Sequence, residues 1–163
     1  MIGAVETASN SQASNSTYVK EIKASENAEN ALVIDYNAPE DGVYQLVVYQ
    51  SNKELFGSHA YNAQMIDRFV TISVNDDYEE NVYFRNTYSV DSFRSQCVKL
   101  QLKKGANEIK LYNNDYRVHK NGVNGVNTCV NYTPNFDKFE LTLFMNKAYN
   151  PEAMQFHLSQ YLL

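Results

Sequence analysis

Apolar and polar residues alternate with a period of two along most of residues 31–144, and this period is typical of strands with one buried face. In residues 98–102, Val, Leu and Leu alternate with Lys and Gln without a fault. The same alternation predicts strands in six further places: residues 32–36, 44–48, 70–74, 82–84, 108–111 and 138–143. A weaker strand is predicted over residues 17–22.

The connections between these strands are of two lengths. Three short, charged turns lie at residues 37–42, 75–80 and 103–106, and three long segments rich in Tyr and Asn lie at residues 50–67, 86–96 and 113–136. Long connections in a compact domain usually carry binding or catalysis. Because successive antiparallel strands send alternate connections to opposite ends, the three long segments are predicted to gather at one end, which we call the rim.

Seven or eight antiparallel strands without helical crossovers indicate an all-β fold, an antiparallel β-sandwich or jelly roll. Residues 1–146 are predicted to form this domain. Residues 147–163 differ, because Asn150, Pro151 and Glu152 are typical of a helix start and apolar residues then recur at helical spacing. Two interpretations of this tail stay open: a short amphipathic helix packed on the sandwich, or the stub of a linker or neighbouring domain.

The charge balance limits the partners. The chain has 163 residues and a formal net charge of −5, whereas nucleic acid and anionic membranes both need a basic face. No apolar run approaches the roughly 20 residues of a membrane span. Residues 1–17 lack the basic-then-apolar order of a signal peptide, so a secreted protein of this kind would carry its signal outside this sequence. We expect neither nucleic acid nor a membrane as a partner.

Composition adds two observations. The chain has 13 Tyr, no Trp and 20 Asn, a usage that favours strands and turns. Its two cysteines, Cys97 and Cys129, each adjoin a long segment and could meet at the rim. A disulfide in an oxidising compartment and two free buried thiols are equally consistent with this spacing.

Residues 41–143 resemble the carbohydrate-binding modules of families 6 and 35, which are galactose-binding-like β-sandwiches. Four motifs carry the resemblance: DGVYQLVVY at 41–49, NTYSVDSF at 86–93, LKKGANEIKL at 102–111 and PNFDKFEL at 134–141. The resemblance implies a non-catalytic, extracellular module that holds a secreted glycoside hydrolase against its polysaccharide or glycan. In such modules the sugar usually sits at the loop rim, on aromatic rings with an Asn nearby, and a structural calcium is common.

The chain departs from the family pattern in two ways. The family often has Trp at the position of Val90, and this chain has no Trp. The family's calcium site also uses acidic residues of a first strand, and this chain is expected to begin just after that point. Asp137 matches the family's C-terminal calcium ligand, so a structural calcium at Asp137 is expected from the resemblance alone.

A pyranose offers an apolar CH face and a ring of hydroxyl groups, so a site for it needs flat aromatic rings and fixed amides or carboxylates. Candidate platforms are Tyr61, Tyr88, Phe93, Tyr116 and Tyr132, and candidate polar contacts are Asn62, Asn113, Asn114, Asn131, Asn135, Asp91 and Asp115. Tyr88 and Asn131 rank first because they lie in segments that resemble the family's binding loops. The favoured sugar contacts are Tyr88, Asn131, Tyr132, Asn113, Tyr61, Asn62, Asp91 and Tyr18.

Each candidate also has a structural interpretation. A ring in a long loop often packs that loop onto the sheet, and Asn in a loop is often a turn former. Tyr18 presents a conflict of its own. It matches an aromatic contact of the family, yet up-and-down counting of the strands places it at the end opposite the rim.

The sequence contains no catalytic motif. It has no Gly-x-Ser-x-Gly elbow, phosphate-binding glycine loop or zinc-helix motif, and its histidines lack metal-binding spacing. A glycosidase would need two facing carboxylates about 5–9 Å apart, which Asp91 and Asp115 could just satisfy. We therefore expect a non-catalytic, monomeric sugar-binding module. The alternative is a structural or protein-binding β-sandwich without sugar affinity.

Overall fold

The computed structural model describes residues 5–25, 28–53, 55–56, 64–65, 67–114 and 132–145, and it describes residues 55–56 and 64–65 by their backbone alone. The described strands are β1 (Thr7–Ser9), β2 (Thr17–Val19), β3 (Leu32–Ala38), β4 (Gly42–Ser51), β5 (Leu55–Phe56), β6 (Gln64–Met65), β7 (Arg68–Val74), β8 (Tyr78–Phe84), β9 (Arg94–Leu102), β10 (Gly105–Tyr112) and β11 (Asn135–Met145). No helix of the described residues is long and apolar enough to cross a membrane.

Two antiparallel sheets make up the domain. One sheet has five strands in the order β1-β2-β11-β4-β9, and the other has four in the order β3-β10-β7-β8. A small pair, β5 and β6, lies within the first long segment. The predicted fold class, an all-β antiparallel sandwich, is confirmed. The predicted helix in the tail, together with the domain boundary at residue 146, lies outside the described residues.

The period-two pattern produces the core because successive side chains of a strand face opposite sides of the sheet, so every second one lies between the two sheets. In β9, Val98, Leu100 and Leu102 are buried, while Lys99 and Gln101 between them are exposed. The fully buried side chains that fill the space between the sheets include Tyr44, Leu46, Val48, Val70, Ile72, Phe84, Leu100, Leu102, Ile109, Leu111 and Phe136. Burial of this apolar surface is the main stabilising contribution to the sandwich.

The three short turns meet at one end of the sandwich, as predicted. The Lys104 amide donates to Asp41 Oδ1 at 2.6 Å, which joins the first turn to the third. Lys103 Nζ lies 3.0 Å from Asp77 Oδ2, which joins the second turn to the third. Asn75 Nδ2 donates to Asn107 Oδ1 at 3.0 Å and reinforces the same connection.

The bases of the three long segments meet at the other end. The first and second segments are joined by a reciprocal pair, in which the Thr87 amide donates to the Asn52 carbonyl at 2.8 Å and the Asn52 amide donates to Thr87 Oγ1 at 2.9 Å. The first and third are joined by Asn135 Nδ2, which donates to Ser51 Oγ at 3.2 Å. The described ends of the long segments therefore converge on one rim.

The structure adds three strands that were not predicted, β1, β5 and β6, and corrects two expectations. The prediction missed β1, which pairs with β2, and the weak strand over residues 17–22 is shorter than predicted. Glu6 lies directly before β1. Where the chain begins relative to the family's first strand stays a prediction. Cys97 is an exposed free thiol, so the interpretation as a buried thiol is wrong for this residue. Cys129 lies outside the described residues.

Candidate functional site

The β1–β2 hairpin brings Tyr18 to the rim. Val19 pairs with Phe136 at the start of β11, and Phe136 pairs with Gln50 at the rim end of β4. The ring of Tyr18 packs against the ring of Phe93 in the second long segment, with centroids 5.7 Å apart. The structure therefore places Tyr18 at the rim, and the placement from up-and-down counting is wrong. That counting assumed that β2 neighbours β3, whereas β2 pairs with β1 and β11. The role of Tyr18 as a sugar contact stays a prediction.

Tyr88 projects from the second long segment into solvent. Its side chain is 61% exposed, and its backbone φ of 67° lies in the left-handed region, which is costly for a bulky residue. An Asx turn holds this conformation, because the Tyr88 amide donates to Asn86 Oδ1 at 2.8 Å. Asn86 is fixed in turn, since its own amide donates to Asp67 Oδ1 at 2.8 Å. The fold thus holds a strained backbone that presents an exposed ring.

Asp91 faces the hairpin as well as solvent. Its Oδ1 accepts a hydrogen bond from Asn10 Nδ2 at 2.8 Å, and its amide donates to Ser89 Oγ at 3.1 Å. A second carboxylate oxygen leaves capacity to accept from another donor. Asp91 therefore lies on the surface where the second long segment meets the hairpin. In sequence it is between Tyr88 and Phe93.

Tyr132 lies in a second part of the rim, beside a buried cation. Arg68 Cζ is 5.9 Å from the centroid of the Tyr132 ring. Arg68 Nη1 also donates to Glu21 Oε2 at 2.6 Å and to the Thr133 carbonyl at 2.9 Å. Only 9% of the Arg68 side chain is exposed, against 41% for Glu21. This arrangement fixes the base of the third long segment to the start of β7.

A pocket of about 440 Å³ adjoins Tyr132. Its lining residues are Val5, Glu6, Lys20, Glu21, Ile22, Lys23, Asn30 and Tyr132. Both glutamates already have cationic partners, since Glu6 pairs with Lys20 at 2.6 Å and Glu21 pairs with Arg68. The Lys20 ammonium holds the pKa of the Glu6 carboxyl below its usual value. The pocket therefore offers an aromatic ring, amide groups and ammonium groups, and its size is within the range of small-molecule sites.

Three of the asparagines predicted as polar contacts are buried or bonded to other parts of the protein. Asn113 is fully buried, and its carbonyl accepts from the Ser25 amide at 3.3 Å. Asn135 is 8% exposed and uses its side chain to join the Glu21 amide to Ser51 Oγ. Asn114 Nδ2, just after β10, donates to Glu79 Oε1 on β8 of the same four-stranded sheet. The structural interpretation of loop asparagines is therefore favoured for these residues.

Asp137 is engaged by the hairpin turn. Its Oδ1 accepts two hydrogen bonds from Ser14, one from the backbone amide and one from Oγ, both at 2.8 Å. Calcium takes six to eight oxygen ligands, and the described residues contain no group of three acidic, His or Cys side chains that could hold a metal ion. Among the described residues Asp137 therefore has no cluster of acidic partners for a calcium ion, and the calcium stays a prediction from the family resemblance.

Five predicted site residues lie outside the described residues: Tyr61, Asn62, Asp115, Tyr116 and Asn131. Sequence reasoning missed three residues that the structure brings to the rim, namely Asn10, Ser14 and Arg68. Arg68 had a usable signal, because it directly precedes the apolar residues of a predicted strand. Asn10 and Ser14 had none, since polar residues in a polar segment are not distinctive.

No protein-family model and no curated protein sequence matches the chain. The chain is similar to a family 35 carbohydrate-binding module from Clostridium thermocellum, with 29% identity, a TM-score of 0.66 and coverage of 86% of this chain and 88% of that module. The CBM35 from Cellvibrio japonicus Abf62 matches at 15% identity and a TM-score of 0.59, over 86% of this chain and 83% of that one.

An enzyme structure also contains the same fold. The exo-β-1,3-galactanase from Phanerochaete chrysosporium, solved with galactose, matches at 19% identity and a TM-score of 0.63. This match covers 86% of the present chain but 26% of the enzyme.

The comparison with solved structures supports a carbohydrate-binding module. The predicted resemblance to the family 35 modules is confirmed by structures that match over most of their own length. Such modules are non-catalytic, so the prediction that the chain is not an enzyme is confirmed by the comparison.

Proposed function

We propose that this module binds a polysaccharide or glycan at the rim. Aromatic rings there stack on the sugar, and polar side chains accept hydrogen bonds from its hydroxyl groups. Tyr88, Tyr18 and Asp91 are the described residues that would make these contacts. Tyr132 and its pocket would provide further contacts from the third long segment. The favoured contacts Tyr61, Asn62 and Asn131 belong to the same proposal.

The exposed and strained Tyr88 is the observation that carries the proposal. A left-handed backbone costs roughly 1–2 kcal/mol for an ordinary residue, and an outlier at an exposed aromatic ring motivates a functional hypothesis. A solvent-facing phenol ring contributes little to the core, so the strain is not offset by packing of that ring. A ring that awaits a ligand face accounts for both features.

The proposed role in the whole protein is adhesion. A module that binds sugar raises the local concentration of a tethered catalytic domain at its substrate, without any contact to the reacting atoms. We propose a secreted glycoside hydrolase as the parent polypeptide, an extracellular location and a monomeric module. A structural calcium at Asp137 is implied by the family resemblance alone and is not part of this proposal.

Affinity gel electrophoresis and a glycan array test the proposal. The wild-type chain is expected to be retarded by at least one polysaccharide, and β-1,3-galactan belongs in the panel because a similar structure is a galactanase. The Tyr88→Ala variant is expected to lose at least about tenfold in affinity, since stacking on one ring contributes about 1–2 kcal/mol. Tyr78→Ala is the matched control, because Tyr78 is an exposed tyrosine at the short-turn end. Equal effects of the two substitutions would contradict the proposal.

One set of observations favours a second candidate, a structural or protein-binding sandwich without sugar affinity. The side chains of Asn114 and Asn135 bond to other protein groups, and Asn113 is fully buried. Amides used in this way are not available to sugar hydroxyls. Absence of retardation by every polysaccharide, with a folded wild-type chain, would favour this second candidate.

A further inference from the structure

The turn of the β1–β2 hairpin contacts the rest of the molecule through two aspartates. Asn10 Nδ2 donates to Asp91 in the second long segment, and Ser14 donates twice to Asp137 in β11. Both contacts join parts of the chain that are far apart in sequence. Hydrogen bonds to a carboxylate are stronger than those between neutral groups, so two of them are enough to fix the position of a short hairpin.

The turn itself is organised to make these contacts. Asn10 Oδ1 accepts from the Gln12 amide at 2.8 Å, which orients the side-chain amide so that Nδ2 faces Asp91. The Asn10 amide donates to the Ser16 carbonyl at 3.0 Å, and the Ser16 amide donates to the Ala13 carbonyl at 3.0 Å. Ala13 is buried. The turn is thus closed by its own hydrogen bonds before it meets either aspartate.

The acidic groups that a calcium site would use have other partners. Asp137 Oδ1 already accepts from the amide and the hydroxyl of Ser14. Glu6, which lies just before β1, pairs with Lys20 at 2.6 Å. A cation that bound Asp137 Oδ1 or Glu6 Oε2 would have to displace a hydrogen-bond donor or an ammonium group.

We infer that Asp91 and Asp137 form a clip that fastens the β1–β2 hairpin to the rim without a metal ion, and that this clip positions Tyr18. The positioning part rests on the proposed function. Tyr18 lies two residues after Ser16, where the turn ends. Its partner ring, Phe93, lies two residues after Asp91. The hydrogen bond at Asp91 and the ring contact therefore join the same two segments. Asn10, Ser14 and Asp137 are positioning residues, because none of them needs to touch the sugar.

The metal-independent part is tested by thermal unfolding of the wild-type chain. The melting temperature is expected to differ by less than about 1 °C between EDTA and about 5 mM calcium chloride, a concentration above the dissociation constants of extracellular calcium modules. At this concentration a calcium site with a dissociation constant of about 0.1–1 mM would raise the melting temperature by roughly 2–9 °C. A rise of that size would overturn the inference.

Substitution of Asp137 separates hydrogen bonding from metal binding. Asparagine keeps an oxygen that accepts from Ser14 and loses the charge that calcium needs. Asp137→Asn is therefore expected to melt within about 1 °C of wild type, and Asp137→Ala about 3 °C or more below it. Asp35→Ala, at an exposed aspartate on β3, is the matched control and is expected to change little. Equal losses for the Asn and Ala variants at Asp137 would contradict the clip.

An exchange of groups tests the contact at Asp91. Asn10→Asp alone places two carboxylates face to face and is expected to lower the melting temperature by about 3 °C. In the double variant with Asp91→Asn, an amide again donates to a carboxylate, with the two groups exchanged between the positions. This variant is expected to recover most of the lost melting temperature. A double variant no more stable than Asn10→Asp would show that the two side chains do not form the contact.

Sugar affinity tests the positioning of Tyr18 separately from stability. With a polysaccharide that retards the wild-type chain, Asp137→Ala is expected to bind about fivefold more weakly, and Asp137→Asn within about twofold of wild type. Unchanged affinity of Asp137→Ala would overturn the positioning role and leave the metal-free clip standing. If the wild-type chain binds no sugar, the proposed function fails, and the melting experiments still decide the clip.

Discussion

The ring of Tyr18 lies 5.7 Å from the ring of Phe93, with 57° between their planes. This tilted pair joins the β1–β2 hairpin to the second long segment and forms part of the surface that carries Tyr88 and Asp91. Tilted aromatic pairs contribute about 0.5–1.5 kcal/mol beyond the area that they bury. Phe93 has no polar group, so its contribution to a sugar site would act through the position of Tyr18.

We expect Phe93→Ala to lower the free energy of unfolding by about 1–2 kcal/mol and to weaken sugar binding about fivefold, because Tyr18 loses its support. Tyr83→Ala is the matched control. Tyr83 is the exposed ring of another aromatic pair, with Phe69 at 6.1 Å in the four-stranded sheet. It is expected to alter stability by a similar amount and to leave affinity unchanged. Urea unfolding and affinity gels measure the two effects, and loss of affinity in both variants would argue against a role for the Tyr18 pair.

A glycine at position 88 should separate stability from binding. Tyr88 has a φ of 67°, a conformation that glycine adopts without strain. Tyr88→Gly is therefore expected to be as stable as wild type or up to about 1 kcal/mol more stable, while sugar affinity falls at least about tenfold. Tyr88→Ala keeps the strain and should be less stable than Tyr88→Gly. If the glycine variant were clearly destabilised, the exposed ring would have a structural role that the proposed function does not include.

The ion pair between Arg68 and Glu21 should have a larger coupling energy than an exposed ion pair. Arg68→Met removes the cation from Glu21 and the donor from the Thr133 carbonyl, and we expect a loss of about 2–3 kcal/mol in the free energy of unfolding. The cost is below that of a fully buried pair because Glu21 is partly exposed. A double-mutant cycle with Glu21→Gln is expected to give a coupling energy of about 1 kcal/mol or more.

The control for that cycle is Lys103 with Asp77, a pair in which both side chains are well exposed. Its coupling energy is expected to be within about 0.5 kcal/mol of zero, because solvent screens exposed charges. Equal coupling in the two pairs would contradict the role assigned to the burial of Arg68.

An asparagine at the short-turn end is expected to matter for stability alone. Asn107 is buried, accepts from the Lys103 amide at 3.1 Å and donates to the carbonyls of Lys103 and Gly105 at 2.7 and 2.8 Å. Asn107→Ala leaves these backbone groups without a partner and is expected to cost about 2–4 kcal/mol. Asn37→Ala, at an exposed asparagine opposite Ala106, should cost less than about 0.5 kcal/mol. Sugar affinity should be unchanged in both variants, because they lie opposite the rim.

The sequence predicted the parts of the fold that depend on local pattern. Alternation identifies β4 and β9 because each places every second side chain in the core. It fails for β1, since Thr7–Ser9 has no apolar face and is a strand only because it pairs with β2. It also misplaced Tyr18, because the order of strands within a sheet depends on pairing between distant segments. The burial of Asn113 has the same origin, since a loop asparagine becomes structural only when other segments cover it.

Residue types indicated which side chains could lie at the rim, but they did not indicate whether each one is used for structure or for binding. Tyr88 and Asp91 lie on the surface expected of them. Asn135, in contrast, uses both of its amide atoms to join Glu21 to Ser51. An asparagine that could bind sugar hydroxyls can equally bind backbone amides, so its residue type does not distinguish the two uses.

Tyr112 should make stability fall at high pH. Its side chain is buried on β10, and burial, together with a hydrogen bond to Glu79, raises the pKa of the phenol to about 12. In the unfolded chain a tyrosine ionises near pH 10. Between about pH 10 and 12 the folded chain therefore retains a proton that the unfolded chain has lost. The stabilisation is complete below pH 10 and disappears as the pH approaches 12.

Tyr112→Phe removes this proton and isolates its effect from the other 12 tyrosines. We expect the stability difference between wild type and Tyr112→Phe to be constant from pH 7 to about 9.5 and to shift against wild type by about 1–2 kcal/mol by pH 12, after allowance for partial solvent screening. Urea unfolding at several pH values measures the difference. Parallel stability profiles for the two chains up to pH 12 would mean that the Tyr112 phenol ionises at the same pH in the folded and unfolded states.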